Sequence, residues 1–291
     1  MKKATVFIKG GFGNQLFQFS FAEYLKQNNY LVDINTTLLK LPGQHTPRNL
    51  TLPISYFGFK EQNFLNKKKF EIFLKVNSSS KINNSFFGQY FDKFKYTKEN
   101  SNFTEYNNKH LYFNGYWKDM TYVQNNKDYI KSSLSKNEII KSKLHSTPKE
   151  NTVMIHVRRR DFVKLGWDLK IEYYKKSINL LEKKFKDINI DIFTDDEEWV
   201  RNQKIFSRAN NIFPQMYTLG SGEDNTEETI YTFSQMLSYQ NFIVSNSSFA
   251  FWAAFLRCNE DSFITVPKPW FVNNNHPTLT MENWIVVENN Y

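Results

Sequence analysis

The second half of the chain alternates short apolar runs with helical patterns, and this alternation restricts the fold more than any other feature. Residues 152–157 form a β-branched apolar run that is typical of a buried parallel strand. The apolar spacing over 171–185 predicts a one-sided helix. Further runs at 188–193, 242–245 and 263–266 repeat the alternation. Strands that alternate with helices predict an α/β fold with a parallel sheet and right-handed crossovers.

Residues 1–35 predict a second unit of the same kind. A strand at 4–8, a glycine turn at 10–13, a helix at 14–25 and a strand at 31–34 make a βαβ start. Glycines in such a turn allow a phosphate or a sugar to approach the helix N-terminus. The dinucleotide fingerprint is absent, because its third glycine would fall at Leu16. Taken alone, the turn is equally consistent with a purely structural role.

The chain length and one polar stretch predict two domains. A chain of 291 residues is long for one compact core. Residues 36–130 lack clean periodicity, and residues 132–151 are polar and rich in Ser and Lys. We place the domain boundary after residue 148.

Charge and composition limit the partners and the compartment. The net charge of +9 favours anionic partners, namely nucleotides, nucleic acid or an anionic membrane. The single cysteine, Cys258, excludes an intrachain disulfide. The apolar run after Met1 is too short for a signal peptide, and no run reaches the ~18 residues of a membrane span. We therefore expect a cytoplasmic protein, with peripheral contact at the inner face of the cytoplasmic membrane.

Three polar clusters follow predicted strands, at 156–161, 194–196 and 246–249. Because the carboxyl ends of parallel strands share one edge of a sheet, we expect these clusters to line one crevice. Arg158 and Arg159 suit a diphosphate, since a guanidinium offers a fixed, permanently charged fork of donors.

The other polar residues extend this prediction to a nucleotide diphosphate. Ser247 and Ser248, with the backbone amides after Asn246, offer neutral donors to an anion. Asp195 or Asp196 could accept bonds from a purine or a ribose hydroxyl, or could cap a helix. The sequence contains no Asp-x-Asp, P-loop, zinc-spaced Cys/His cluster or Gly-x-Ser-x-Gly. These residues suit a glycosyl transfer that needs no metal.

Several segments, in order along the chain, match the motifs of one family. They are GGFGNQLFQF at 10–19, GYWKD at 115–119, HVRRRD at 156–161, FTDDEEW at 193–199, NSSFAFW at 246–252 and PKPW at 267–270. On these motifs the chain resembles the bacterial α-1,2-fucosyltransferases, glycosyltransferase family 11, over most of its length.

The resemblance implies a GT-B fold, in which two Rossmann-like domains face a cleft. Residues 1–148 would form the acceptor-side domain and residues 149–291 the donor domain. The implied reaction is an inverting transfer of L-fucose from GDP-β-L-fucose, without a metal or other cofactor. The implied acceptor is the 2-hydroxyl of a β-galactoside in lipopolysaccharide, O-antigen or a related oligosaccharide, soluble or lipid-linked.

The resemblance also implies roles for individual residues. Arg158 would bind the β-phosphate and stabilise the departing GDP, and Asp161 would act as the second catalytic residue, either as a base or, as we favour, by orienting Arg159 or its loop. The implied donor-binding residues are Asn14, Gln15, His156, Arg158, Arg159, Asp195, Asp196, Asn246, Ser247, Ser248 and Phe249. Three positions depart from the family pattern: Arg160 replaces Gly, Phe251 replaces Trp, and Asn241 replaces His.

Three alternatives stay open at this point. The arginines would serve another GDP- or UDP-sugar equally well. The basic charge and abundant aromatic residues also suit a nucleic-acid-binding or polyanion-binding protein, although the basic residues are dispersed. The chain could also bind a sugar nucleotide without catalysing its transfer.

Overall fold

The structure, a computed structural model, describes residues 1–40, 48–78, 95–98, 110–214, 225–272 and 278–289. The chain divides into two compact units, the first formed mainly by residues 1–117 and the second mainly by residues 127–291. Two helices between residues 127 and 144 group with the second unit. The boundary placed after residue 148 stays a prediction.

The first unit contains a parallel five-stranded sheet in the order β3-β2-β1-β5-β4. Its strands are β1 Lys2–Phe7, β2 Tyr30–Asn35, β3 Lys60–Glu61, β4 Lys95–Lys98 and β5 His110–Asn114. Its helices are α1 Phe12–Gln27 and α2 Phe64–Ser78. The βαβ start is therefore confirmed.

Aromatic packing fixes α1 on this sheet. Phe21 of α1 stacks on Trp117, with ring centroids 4.0 Å apart, and meets Phe113 of β5 edge-on at 5.3 Å. The contact with Phe113 has the edge-to-face geometry that aromatic pairs prefer, and both contacts bury the ring of Phe21. The helix is held against the sheet along its length, which fixes the glycine turn at its N-terminus.

The second unit contains a parallel six-stranded sheet in the order β11-β10-β9-β6-β7-β8. Its strands are β6 Lys149–Val157, β7 Asn189–Thr194, β8 Asn211–Pro214, β9 Tyr239–Ile243, β10 Ile264–Lys268 and β11 Ile285–Glu288. Its helices are α3 Lys127–Leu134, α4 Glu138–Leu144, α5 Arg160–Leu165, α6 Ile171–Lys184, α7 Glu197–Arg201, α8 Thr226–Met236 and α9 Ser248–Arg257. Read from β8, the order is that of a doubly wound dinucleotide-binding sheet. The predicted class, α/β with two Rossmann-like domains, is confirmed.

The predicted amphipathic helix is α6, and it covers one side of this sheet. Its residues Tyr174, Ile178 and Leu181 are buried in the core together with Val153 and Ile155 of β6. The helical spacing of those apolar residues therefore places them on the face that packs in the core, as the sequence predicts. Within the described residues, no helix is long and apolar enough to cross a bilayer.

Candidate functional site

The three polar clusters lie at one edge of the second sheet. β6 is hydrogen-bonded between β7 and β9, and all three strands are parallel. Val157, the last residue of β6, is in register with Thr194, the last residue of β7. The chain segments that leave these strands at their carboxyl ends therefore emerge side by side, which is where ligands bind in such sheets.

Arg158 occupies the centre of this edge and is almost fully buried. Its Nη2 lies 2.6 Å from Oδ1 of Asp161, and its Nη1 lies 2.8 Å from Oδ2 of Asp195. Neither approach has the alignment of a good hydrogen bond, so the attraction is chiefly coulombic. The guanidinium also lies over the ring of Phe162, 5.4 Å from its centroid. The cation is therefore held in one place before any ligand arrives.

Asp195 is a buried carboxylate that contacts both Arg158 and Arg159. Its side chain has no exposed surface, and its Oδ1 accepts a 2.7 Å hydrogen bond from the backbone N–H of Arg159. Burial raises the pKa of the Asp195 carboxyl, and the charge of Arg158 is the strongest influence that opposes this rise. In this position Asp195 acts on Arg158, and its buried side chain is directed at protein groups.

Arg159 contacts protein groups through Nε, Nη1 and the face of its guanidinium. Its Nε donates to Asp196 and its Nη1 to Asp168, each at 3.1 Å. Its guanidinium stacks on Trp199, 3.9 Å from the ring centroid. Together with its backbone bond to Asp195, these contacts join the segments that follow β6 and β7. Such a side chain fixes loop geometry.

Asp196 caps the helix that follows β7. Its Oδ1 accepts a hydrogen bond from the backbone N–H of Trp199 at 3.2 Å, as an N-cap carboxylate does. Its own N–H donates to Oγ1 of Thr194 at 3.0 Å. The sequence allows Asp196 either a nucleotide contact or a helix-capping role, and the structure shows the helix cap.

His156, near the end of β6, and Asn246, after β9, make contacts between neighbouring chain segments at this edge. The Nδ1 of His156 lies 2.6 Å from Oγ of Ser245, and both residues are fully buried. The Nδ2 of Asn246 donates to the backbone oxygen of Trp167 at 2.7 Å. These contacts brace the candidate site from within the sheet.

Helix α9 begins at the same edge. Ser247 is its N-cap residue, and Ser248 is its first helical residue; both are half-buried. The ring of Phe249 is buried against Phe233, 5.3 Å away. The N-terminus of α9 therefore lies at this edge, whereas Phe249 belongs to the core.

Three half-buried aromatic rings form a cluster that contacts Arg158 through Phe162. Phe162, Trp167 and Phe271 contact one another, with ring centroids between 5.1 and 6.3 Å apart. Phe162 is also the ring beneath the Arg158 guanidinium. The cluster gives this edge of the sheet an apolar border.

Asn14 and Gln15 lie in the first unit, in the first turn of α1. Gln15 is buried, and its Nε2 donates to the backbone oxygens of Gly10 and Asn49 at 3.0 and 2.9 Å. Its Oε1 accepts a 3.0 Å bond from the N–H of Thr51. The Gln15 amide therefore bonds to three backbone groups of the first unit, whereas Asn14 is half-buried. Contact of either residue with a donor stays a prediction.

The departures from the family pattern have separate structural roles. Arg160 is the exposed first residue of α5. Asn241 bridges neighbouring strands, because its Nδ2 donates to the Glu150 oxygen and its Oδ1 accepts from the Phe263 N–H, both at 2.8 Å. Phe251 is fully buried in the core.

Sequence reasoning missed Asp168, Ser245 and Trp167, which hold Arg159, His156 and Asn246 respectively. Ser245 could have been found, because it begins the polar run that the motif continues. Asp168 and Trp167 belong to no pattern in the sequence. Over the described ranges, no three His, Cys, Asp or Glu side chains are grouped to hold a metal ion.

The chain is similar to two curated proteins of Escherichia coli over nearly its whole length. One is the O-antigen biosynthesis glycosyltransferase WbnK, 29% identical, with 96% of this chain and 98% of that protein covered. The other is an alpha-1,2-colitosyltransferase, 28% identical, with 97% of each chain covered.

A solved structure and a family model also match. The fucosyltransferase NodZ from Bradyrhizobium resembles the chain at 11% identity, over 87% of this chain and 91% of that chain, with a TM-score of 0.42. A likeness this distant supports no inference about function. The sequence model of glycosyl transferase family 11 matches residues 2–288. The chain therefore belongs to glycosyl transferase family 11 and is a glycosyltransferase.

Proposed function

We propose that the protein transfers L-fucose from GDP-β-L-fucose to the 2-hydroxyl of a β-galactoside acceptor, with inversion and without a metal ion. The observation that carries the proposal is Arg158, a buried cation held at the carboxyl edge of β6 beside the N-terminus of α9. A cation and helix amides at one edge suit a diphosphate. The relatives named for O-antigen biosynthesis and for an alpha-1,2 transfer support the acceptor class and the linkage.

In the proposed reaction the acceptor oxygen forms a bond to C1 of fucose while the bond from C1 to the β-phosphate oxygen breaks. The electron pair of the broken bond goes to that oxygen, so negative charge grows on the β-phosphate. Arg158 stabilises this charge, and because it is already fixed, little reorganisation is needed at the transition state. GDP leaves as an anion, and the acceptor hydroxyl gives up its proton late, to water or to the departing diphosphate.

Asp161 and Asp195 act through Arg158 in this proposal. Asp161 retains 40% of its side-chain exposure, yet its Oδ1 is 2.6 Å from the guanidinium. That contact supports an orienting role for Asp161, on Arg158 and not on Arg159. A strong base is unnecessary if proton transfer follows bond cleavage, so Asp161 need not accept the proton.

The remaining donor-site residues divide by whether the fold already engages their side chains. Ser247, Ser248 and the α9 amides are proposed to bind the diphosphate, and Asn14 of the first unit is proposed as a further donor-binding residue. His156, Arg159, Asp195, Asp196, Asn246, Phe249 and Gln15 are proposed to support those groups. The enzyme is proposed to work at the inner face of the cytoplasmic membrane, with no nucleic acid as partner.

A second candidate donor is GDP-colitose. It is favoured by the relative named as an alpha-1,2-colitosyltransferase. Colitose lacks the C3 hydroxyl of fucose, so a site that bonds this hydroxyl would reject colitose strongly, whereas an apolar site would discriminate only weakly. The diphosphate contacts of Arg158 would serve both donors.

Calorimetric titration in EDTA tests the proposal. We expect GDP-fucose to bind more tightly than GDP-mannose or UDP-galactose, and Arg158→Lys to weaken binding because a point charge loses the fork. Arg201→Ala is the matched control, since that arginine is 61% exposed in the same unit. Tighter binding of GDP-colitose than of GDP-fucose would make GDP-colitose the donor. Binding only in the presence of a divalent cation would refute the metal-free site.

A further inference from the structure

We propose that the first turn of α2 is a docking surface for an anionic lipid bilayer. Phe64 and Leu65, adjacent in the chain, are 74% and 68% exposed. Among the described residues, Met1 alone of the large apolar side chains is more exposed. Isolated exposed apolar residues are ordinary, but two large neighbours on one helical turn concentrate apolar surface at one point.

The helix itself explains why these two side chains project. Phe70 of α2 is buried and packs on Phe7 of β1, with ring centroids 4.1 Å apart. At about 100° per residue, Phe64 and Leu65 point well away from the direction of Phe70. The helix is therefore anchored to the sheet by one face and presents its N-terminal apolar pair outward.

The charges around this pair select an anionic surface. Residues 60–71 contain four lysines, at 60, 67, 68 and 69, and two glutamates, at 61 and 71. Lys67 pairs with Glu61 at 2.6 Å and Lys68 with Glu71 at 3.3 Å, so both acidic groups are compensated. Each basic residue near a bilayer surface adds about a fivefold gain in partitioning. An exposed apolar pair can enter a bilayer interface while lysines beside it contact anionic headgroups.

A second copy of the chain fits this surface poorly. A two-fold contact through Phe64 and Leu65 would bring the lysines of one copy against those of the other. Two side chains also fall far short of the roughly 800 Å² per partner that stable interfaces bury. Lipid headgroups supply the opposite charge, and acyl chains accept apolar groups of any shape.

Co-sedimentation with vesicles tests the proposal. We expect the protein to bind phosphatidylcholine vesicles that contain phosphatidylglycerol, and to bind pure phosphatidylcholine weakly. Phe64→Ser with Leu65→Ser should lower binding to the anionic vesicles by about tenfold or more. Ile139→Ser is the matched control, because Ile139 is 50% exposed on α4 and should leave vesicle binding unchanged.

Two further measurements separate the outcomes. Lys68→Gln with Lys69→Gln should weaken binding to anionic vesicles at low salt, and the difference should shrink as salt screens the charges. GDP binding should be unchanged in all these variants, which separates this surface from the donor site. Equal vesicle binding by the Phe64/Leu65 variant and the wild type would overturn the proposal. So would a wild-type dimer that the same variant abolishes, since the surface would then join two copies.

Discussion

Replacing Arg158 by alanine should damage stability and catalysis by separate routes. The Asp195 side chain has no exposed surface, and Arg158 is the cation beside it, 2.8 Å away. Removing one partner of a buried ion pair costs about 3–5 kcal/mol, because the other charge is left in the interior. Asp195 keeps its bond from the Arg159 N–H, so we expect Arg158→Ala to lower the free energy of unfolding by about 3 kcal/mol.

The loss should also depend on pH. Burial raises the pKa of the Asp195 carboxyl, and Arg158 opposes the rise, so the variant should raise that pKa further. A pKa that is higher in the folded state gives stability at low pH, which is lost as pH rises from the unfolded to the folded value. The deficit of Arg158→Ala relative to wild type should therefore be larger at about pH 8 than at about pH 5.

A double variant distinguishes the two routes. Arg158→Ala with Asp195→Asn removes the buried charge, so urea unfolding should recover much of the lost free energy. Transfer should stay reduced by about 10²–10³-fold in both variants, since the diphosphate still lacks its cation. The control Arg201→Ala should change the free energy of unfolding by less than about 0.5 kcal/mol. Wild-type stability of Arg158→Ala, or recovery of transfer in the double variant, would refute the reasoning.

Three other perturbations have defined outcomes. Gly10→Ala should lower the free energy of unfolding by about 1–2 kcal/mol, because its φ of +75° disfavours a Cβ; Gly11→Ala, in open space, should cost much less in the same urea titration. Arg159→Lys should cut kcat by about 10²-fold through displacement of its loop. Wild-type turnover would show that the contacts of Arg159 do not position the site. Burial lowers the pKa of His110 below 6.5, so stability should fall as pH drops below that value, by at most about 1.4 kcal/mol per pH unit. The free energy of unfolding of His110→Gln should depend less steeply on pH than that of the wild type. An unchanged dependence would mean that another group causes the effect.

The strands that build the candidate site were predictable because most of their residues are buried and a short apolar run marks each of them. β6, β7 and β9 each contain such a run, although Asp191 lies within β7 and Asn241 within β9. By contrast, β3 Lys60–Glu61 is two exposed residues long, and β11 Ile285–Glu288 is a mostly exposed edge strand. Such strands are formed by pairing with a neighbour, and a local pattern carries no trace of that neighbour.

The direction of each polar side chain was harder to predict than its position. The same motif contains Arg158, which is held at the sheet edge, and Arg159, which is bound to Asp196, Asp168 and Trp199. Ligand contact by Gln15 stays a prediction, whereas the bonds of its amide to three backbone groups of its own unit could not be read from the motif. A sequence motif shows which side chains are present. The groups that each side chain contacts depend on segments far away in the sequence.

The pairing of Arg158 with two carboxylates bears on which anions the protein can discriminate. Asp161 and Asp195 cancel much of the arginine's field before a ligand arrives, so a small anion gains little by approaching it. Only a ligand with additional points of attachment, such as the N-terminal amides of α9, can offset this reduced attraction. We therefore expect inorganic phosphate to compete poorly with a nucleoside diphosphate. In a cell where free phosphate is abundant, selectivity of this kind would keep the donor site available.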